Sequence, residues 1–315
     1  MNKVKGRFAP SPSGRMHLGN IFAALLAWLD VRSVGGEMVL RIEDLDEVRC
    51  SREYAAQIID DLHWLGLDWD EGGLQDEYCQ SRRTAHYAAA FDALAERGLL
   101  YPCFCTRAER LAASAPHRED GAVVYGGRCR TLGEQEKQEM LAMGRRPAWR
   151  IIVPDEVWTV IDGNMGAYTI DPVRQQGDYI VRRSDGVYAY QLAVVVDDSM
   201  MGVSRVVRGR DLLSSAPCQA WLHRLLGYQP PEFCHVPLLL AEDGKRLSKR
   251  ERSLDMAALR QRYGADELVG ILAWWAGLQD SPRPVRPADL IADFAWQRVS
   301  DRDVIAVLPD RFDFD

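Results

Sequence analysis

The first third of the chain alternates short apolar runs with longer amphipathic segments. This pattern predicts a strand at 4–9, a helix at 18–34 and a second strand at 38–42. Glycines at 35–36 follow the helix, and glycine accepts the positive φ at which helices often end. A strand, a helix and a strand in this order form a right-handed crossover between parallel strands. We therefore predict an α/β fold with a doubly wound parallel sheet, whose ligands bind at the carboxyl ends of the strands.

The later part of the chain continues the same alternation. The pattern predicts a strand at 204–208 and helices at 51–65, 84–97, 212–226, 266–275 and from residue 253 or 255 to 263. The run at 187–196 is predicted to be a further strand, which ends at two aspartates. A proline-rich linker and one more helix are predicted for the tail.

Composition and charge indicate an intracellular enzyme. The chain has 315 residues, enough for a substantial core, and it contains no apolar run of membrane-spanning length and no signal peptide. The sequence contains seven cysteines, and this odd number suits a reducing cytoplasm better than a disulfide scaffold. The net charge of −7 means that binding to a nucleic acid would have to depend on a local basic face.

The loop that leads into the first helix is a candidate phosphate site. It contains Gly14 and is followed by the tetrapeptide His17-Leu18-Gly19-Asn20. The N–H groups of a helix start, an imidazole and glycines that let a ligand approach the backbone all suit a phosphate. The alternative is an ordinary Pro/Gly loop, which most α/β domains have before their first helix.

A second candidate loop lies far along the chain, at 237–250. An apolar strand and an Asp-Gly turn are followed there by the basic sequence RLSKR, which alone is typical of a solvated surface turn. Together, HLGN and RLSKR resemble the paired HIGH and KMSKS motifs of class I aminoacyl-tRNA synthetases. The sequences RFAPSPSG, RIEDLD, YQLAVVVDD and VVRGRDLL extend the resemblance to the glutamyl branch of that family, over about residues 5–255.

The resemblance implies a Rossmann-type sheet that is interrupted by an inserted zinc-containing α+β subdomain. The implied segments are the first half of the sheet at 1–99, the insertion at 100–184, the second half at 185–252 and a short helical region without an anticodon-binding domain at 253–315.

The resemblance also implies that the chain activates L-glutamate with ATP and Mg²⁺. The implied ATP-binding residues are His17, Gly19, Asn20, Arg246, Ser248 and Lys249, with His17 and Lys249 as the catalytic ones. The implied glutamate-binding residues are Arg7, Ser11, Glu43, Tyr190 and Arg208. Because a guanidinium can make two parallel hydrogen bonds to a carboxylate, Arg208 is assigned to the γ-carboxylate and Glu43 to the α-ammonium.

Cysteines in the predicted insertion are candidate metal ligands. Cys103, Cys105 and Cys129 could hold zinc, although C-x-C is tighter than the usual C-x-x-C, and three reduced thiols are the alternative. The resemblance adds Tyr125 as a fourth ligand and implies one structural Zn²⁺.

The stretch after the RLSKR loop, 251–315, is shorter than the anticodon-binding region of a full glutamyl-tRNA synthetase. In this the chain resembles truncated paralogues that attach glutamate to queuosine, the wobble nucleoside of tRNA(Asp). The expected partners are L-glutamate, ATP and the anticodon stem-loop of tRNA(Asp), bound by a monomer without a membrane partner. Two alternatives stay open: a minimal glutamyl-tRNA synthetase that charges an acceptor end, and a non-catalytic paralogue that binds ATP or glutamate.

Overall fold

The computed structural model describes residues 3–106, 124–245 and 254–309. In chain order its strands are β1 (Lys5–Phe8), β2 (Glu37–Leu40), β3 (Glu71–Gly72), β4 (Leu100–Cys103), β5 (Ala148–Ile151), β6 (Trp158–Asp162), β7 (Gly166–Ile170), β8 (Ile180–Arg182), β9 (Arg205–Gly209), β10 (Glu232–Val236), β11 (Leu239–Leu240) and β12 (Val304–Ile305). Its helices are α1 (Leu18–Ser33), α2 (Arg52–Trp64), α3 (Thr84–Glu96), α4 (Glu134–Ala142), α5 (Pro172–Gln175), α6 (Tyr190–Met200), α7 (Ala216–Leu225), α8 (Met256–Arg262) and α9 (Ala265–Trp275).

The central element is a five-stranded parallel sheet in the order β10-β9-β1-β2-β3. The chain proceeds from β1 towards β3 on one side and returns on the other side as β9 and β10. The strand order therefore reverses at β1, and the predicted doubly wound parallel sheet is confirmed. A crevice for ligands is expected at such a reversal, beyond the carboxyl ends of β1 and β9.

Helix α1 packs against both of these central strands. Its side chains from Ile21 to Val31 are buried apart from Ala23, and they form a large part of the main hydrophobic core. Because α1 is buried against β1 and β9, the first turn of α1 is held beside the crevice at the carboxyl end of β1.

The described residues between 100 and 182 include two smaller antiparallel units, which lie between the halves of the sheet in chain order. One unit is a three-stranded sheet in the order β4-β5-β8, and the other is the β6-β7 hairpin, which packs against α7 and β10. The three boundaries between the four predicted segments stay predictions, since strand pairing alone does not define domains.

Two of the predicted elements are wrong. Residues 187–196 are not a strand; helix α6 begins at Tyr190, and its residues from Leu192 to Asp198 are all buried. A helix that is buried on every side shows no 3.6-residue pattern, so its apolar run resembles a buried strand. The other predicted helices and strands lie within four residues of their predicted bounds.

The helix predicted for the tail is the second error. The described residues after α9 form two short 3-10 turns, Pro287–Leu290 and Trp296–Arg298, and then β12. Backbone donors at the end of the described tail are used outside a helix, because the Val304 and Ala306 N–H groups donate to the Leu238 and Leu240 carbonyls. Strand β12 pairs in parallel with β11, which leads towards the RLSKR loop.

Within the described residues, no helix combines the length and the apolar character that crossing a membrane requires. All seven cysteines of the sequence carry free thiols.

Candidate active site

A cavity of about 410 Å³ lies at the carboxyl ends of β1 and β9, where the sheet order reverses. Its lining includes all the predicted ATP- and glutamate-binding residues within the described chain, namely Arg7, Ser11, His17, Gly19, Asn20, Glu43, Tyr190 and Arg208. Arg246, Ser248 and Lys249 lie outside the described residues. The fold thus brings the first loop and the predicted glutamate-binding side chains into one space.

The HLGN residues form the capped start of α1. The Gly19 N–H donates to Nδ1 of His17 at 3.2 Å, and the His17 N–H donates to Oδ1 of Asn20, also at 3.2 Å. Because Nδ1 accepts, the hydrogen of the neutral ring is on Nε2. Asn20 uses its oxygen in the cap, which leaves its Nδ2 hydrogens as donors. This turn can therefore offer N–H donors to a phosphate from two side chains.

The described residues on both sides of 246–253 lie close to the HLGN turn. Leu239, before this segment, lines the same cavity as His17. After it, Asp255 forms an isolated antiparallel bridge with His17, and the Met256 N–H donates to the Met16 carbonyl at 2.9 Å. The chain therefore enters and leaves the RLSKR segment beside the first loop.

Arg208, on β9, is buried and held by several acceptors. Its Nη1 donates to Oε1 of Gln219 at 2.8 Å and to the Tyr190 hydroxyl at 3.2 Å, and its Nη2 donates to the Leu212 carbonyl at 3.3 Å. Nε donates to Nε2 of His235 at 3.0 Å. Because the Tyr190 oxygen accepts from Arg208, its own hydrogen can be donated to a ligand.

The cavity lining also includes Arg7 and Glu43, which share a buried ionic network. The fully buried Arg41 contacts Oε1 of Glu43 at 3.0 Å and Oδ1 of Asp198 at 2.6 Å. Arg7 donates to the Val207 carbonyl at 2.9 Å, and its Nε lies 3.8 Å from Asp198. Burial would lower the pKa of Arg41, but these two carboxylates outweigh it and raise that pKa. Arg41 therefore stays charged and holds Glu43 in place.

Arg41, Gln219 and His235 were not predicted as site residues. Arg41 lies in the apolar run VLRI, and His235 lies in FCHVPLLL. A charged or imidazole side chain within an apolar strand is rarely fully buried without a polar partner. The position of Arg41 and of His235 in such runs could therefore have indicated a buried polar contact. Gln219 lies in a helix with mixed composition, and no pattern distinguishes it.

The predicted metal ligands lie together between β4 and a 3-10 turn at Arg128–Thr131. The Sγ atoms of Cys103, Cys105 and Cys129 lie within 4.8 Å of one another, and those of Cys105 and Cys129 are 3.4 Å apart. The Tyr125 hydroxyl lies 3.4 Å from Sγ of Cys103 and 3.8 Å from Sγ of Cys105. Ligands at roughly 2.0–2.3 Å from one tetrahedral ion are separated by roughly 3.5–3.8 Å, so this donor set fits a metal ion.

Without a bound cation, the Cys105 thiol keeps its proton. Burial and the adjacent Cys129 raise the pKa of the Cys105 thiol to about 12. A bound metal ion would replace the proton and stabilise the thiolate, which is the form that ligates metals.

Comparisons with known proteins agree with this geometry. Residues 3–267 match the family model described as tRNA synthetases class I (E and Q), catalytic domain. The chain is 50% identical over 294 residues to the glutamyl-Q tRNA(Asp) synthetase of Nitratidesulfovibrio vulgaris, covering 91% of each chain. It is 48% identical to the protein of the same name from Symbiobacterium thermophilum, covering 93% of each chain. It is 38% identical to the glutamate–tRNA ligase of Heliobacterium modesticaldum, covering 64% of that protein.

Solved structures give the same result. The glutamate tRNA ligase from Elizabethkingia meningosepticum, crystallised with its amino acid, superposes with a TM-score of 0.82 at 27% identity, covering 97% of this chain and 67% of that one. The parallel sheet, the family match over most of the chain and these relatives together establish that the chain belongs to the class I tRNA synthetases of the glutamate and glutamine branch.

Proposed function

We propose that this protein activates L-glutamate with ATP and transfers the glutamyl group to queuosine at the wobble position of tRNA(Asp). The observation that carries the proposal is the 50% identity to a glutamyl-Q tRNA(Asp) synthetase over 91% of both chains. Identity to the glutamate–tRNA ligase of Heliobacterium modesticaldum is lower, at 38%. The proposed site of action is the cytoplasm, a reducing compartment that suits the free thiols.

In the first step, the α-carboxylate of glutamate attacks the α-phosphorus of ATP in line. A bond from carboxylate oxygen to phosphorus forms, and the bond to pyrophosphate breaks. Nε2–H of His17 and the Asn20 amide donate to phosphate oxygens. By the family resemblance, Lys249 neutralises the departing pyrophosphate, and Arg246 and Ser248 also bind ATP. Mg²⁺ bound to ATP supplies additional neutralisation of the phosphate charge. Catalysis therefore consists mainly of alignment and charge stabilisation.

Glutamate is held by its two charged ends. The γ-carboxylate accepts from Arg208 and from the Tyr190 hydroxyl, whose hydrogen is not used towards Arg208. The α-ammonium donates to Glu43, while Arg7 and Ser11 line the remaining wall. Burial raises the pKa of Glu43, although Arg41 opposes this effect. An ammonium ligand would stabilise the ionised carboxylate further.

In the second step, a hydroxyl of the acceptor attacks the glutamyl carbonyl, and AMP departs with the phosphate oxygen. The acceptor lies in an anticodon loop, so the anticodon stem-loop of tRNA(Asp) would have to reach the cavity itself. The acceptor hydroxyl loses its proton as the ester forms.

We also propose that the cluster of Cys103, Cys105, Tyr125 and Cys129 holds one structural Zn²⁺. Thiolates and a phenolic oxygen are suitable zinc ligands, and four protein ligands leave no open position for a water molecule. The ion would fix the strand β4 to the turn that carries Cys129.

The test of the whole proposal is glutamate-dependent exchange of pyrophosphate into ATP without tRNA, followed by transfer of labelled glutamate to tRNA(Asp) with and without queuosine. We expect exchange without tRNA, and label only on the queuosine-containing tRNA. Nuclease mapping should place the label on the anticodon nucleotide. Label on the 3′ terminus would indicate a minimal glutamyl-tRNA synthetase, and absence of exchange would indicate a non-catalytic paralogue.

The assignment of Arg208 has its own test. Arg208→Gln removes the cation from the γ-carboxylate, so glutamate-dependent exchange should fall below detection. Arg174→Gln is the control, because this exposed arginine pairs with Asp171 and does not line the cavity. Exchange at the parental rate in the Arg208 variant would remove Arg208 from the glutamate pocket.

A further inference from the structure

Behind Arg208 lies a chain of buried polar contacts that the proposed chemistry does not use. Nε of Arg208 lies 3.0 Å from Nε2 of His235, and Nδ1 of His235 lies 2.5 Å from Oδ2 of Asp162. The exposed fractions of the three residues are 5%, 0% and 3%, so water does not replace any of these contacts. Asp162 ends β6 of the hairpin, whereas Arg208 and His235 face each other on β9 and β10.

The donors fix the state of the imidazole. A guanidinium N–H can only donate, so Nε2 of His235 must accept from Arg208. The ring hydrogen is then on Nδ1, where it donates to Asp162. Burial lowers the pKa of His235, and the adjacent Arg208 charge lowers it as well, although Asp162 opposes both effects. Only the neutral Nδ1–H tautomer of His235 can accept from Arg208 and donate to Asp162 at the same time.

The carboxylate of Asp162 is fixed as well. Its Oδ1 accepts from the backbone N–H groups of Asn164 at 3.1 Å, Met165 at 2.9 Å and His235 at 3.0 Å. Only Oδ2 remains for the imidazole. The β6-β7 turn therefore aims one oxygen at His235 and cannot rotate it away without losing three hydrogen bonds.

We infer that Asp162 and His235 are positioning residues that set the rotation of the Arg208 guanidinium and thereby the affinity for glutamate. The inference rests on the proposed role of Arg208 as the ligand of the γ-carboxylate. Four of the five N–H groups of Arg208 donate to described residues, which leaves one hydrogen, on Nη2. Nη2 must face the cavity for a carboxylate to use it together with the Tyr190 hydroxyl. Rotation of the guanidinium plane would remove this donor pair.

The decisive variant is Asp162→Asn. The amide oxygen has to keep the place of Oδ1, because three N–H groups point at it. The amide nitrogen then faces Nδ1 and donates, which forces the ring hydrogen to Nε2, opposite the N–H of Arg208. Two donors cannot share a hydrogen bond, so the guanidinium must turn. We expect the KM for glutamate in pyrophosphate exchange to rise about 10- to 100-fold, the range typical of lost orienting partners. The KM for ATP should change less than about twofold, since the HLGN turn is untouched.

Two substitutions of His235 form a matched pair. His235→Gln can still place an amide oxygen near Nε of Arg208, whereas the shorter side chain in His235→Asn reaches Asp162 but not Arg208. The Gln variant should therefore keep a KM for glutamate closer to the parental value. Asp30→Asn is the control for loss of a buried carboxylate, because Asp30 bonds Arg205 and Trp296 away from the cavity.

A nitrogen-15 NMR measurement of His235 reads the tautomer directly and needs no activity. We expect the hydrogen on Nδ1 in the parental protein and on Nε2 in Asp162→Asn. A parental Nε2–H form would overturn the inference. So would a switched tautomer with an unchanged KM for glutamate, or an equal rise of that KM in Asp30→Asn. If the parental protein catalysed no pyrophosphate exchange, the proposed function would fail. The His235 tautomers and the calorimetric affinity for glutamate would still test whether Asp162 and His235 position Arg208.

Discussion

At the scale of single residues, the buried arginines matter because each is matched by a carboxylate or a neutral acceptor. Arg41 contacts Asp198 and Glu43 with no exposed surface. Removing one partner of a buried ion pair leaves the other charge uncompensated, which costs more than the pair itself contributes. The position of Glu43 in the cavity lining thus depends on Arg41, which does not line the cavity itself.

Arg41→Met should lower the free energy of unfolding by roughly 3–5 kcal/mol, because Asp198 and Glu43 lose their common cation. Urea unfolding followed by circular dichroism measures this change. Arg49→Met is the control, because this exposed arginine pairs only with Asp46 at the surface and should leave the unfolding midpoint unchanged. Equal midpoints for both variants would show that Arg41 does not hold the network.

At the scale of elements, the contact between α6 and α7 contains a buried histidine. Nδ1 of His223, on α7, lies 2.9 Å from the Ser199 hydroxyl on α6. Burial lowers the pKa of His223 to about 4 from an ordinary value of 6.5. The unfolded chain therefore binds a proton that the folded chain excludes between these two pH values.

The free energy of unfolding should consequently fall as the pH drops from 6.5 to 4, by about 3 kcal/mol from this group alone. Above pH 6.5 both states are neutral, so the contribution is constant there. In His223→Asn, which keeps a polar partner for Ser199, this part of the pH dependence should be missing. Urea titrations of both proteins at several pH values test the difference, and parallel curves would contradict it.

The metal cluster also acts at the scale of elements, since it joins β4 to the turn that carries Cys129. Cys129→Ser weakens one ligand, so the bound zinc measured by atomic emission should fall from one equivalent to well below one. Glutamate-dependent exchange should persist, because none of the four ligands lines the cavity. Cys218→Ser, a buried thiol outside the cluster, should retain the metal. If both variants lost zinc, retention of the ion would depend on the stability of the whole protein, and Cys129 would not be shown to be a ligand.

The sequence predicted elements better than the contacts between them. HLGN, Arg208 and the three cysteines could be selected from the sequence because short motifs have a recognisable residue order; the structure places HLGN and Arg208 in one cavity and the cysteines in one cluster. Helix α6 was predicted to be a strand because most of its side chains are buried, so the sequence lacks the alternation of apolar and polar residues that marks a helix. The pairing of Asp162 with His235 depends on the packing of the β6-β7 hairpin against β10. Neither a short sequence motif nor the spacing of apolar residues predicts that packing.

At the scale of the whole molecule, charge separates the two steps of the proposed reaction. The chain carries a net charge of −7, so contact with tRNA has to come from local basic residues. Raising the salt concentration from about 50 to 200 mM should lower transfer to tRNA(Asp) by about tenfold or more, because counterion release weakens. Exchange without tRNA should change much less over the same range. Equal losses in the two assays would contradict an electrostatic contact with the tRNA.

The pairing of β12 with β11 has a consequence for synthesis of the protein. Strand β11 precedes the basic loop and lines the cavity through Leu239, yet its partner strand begins only at Val304. A nascent chain that leaves the ribosome from its N-terminus can complete its five-stranded sheet, whose last strand ends at Val236, before β12 emerges. Strand β11 therefore gains its hydrogen-bonded partner, and the cavity wall at Leu239 its support from that strand, only after translation has passed Val304.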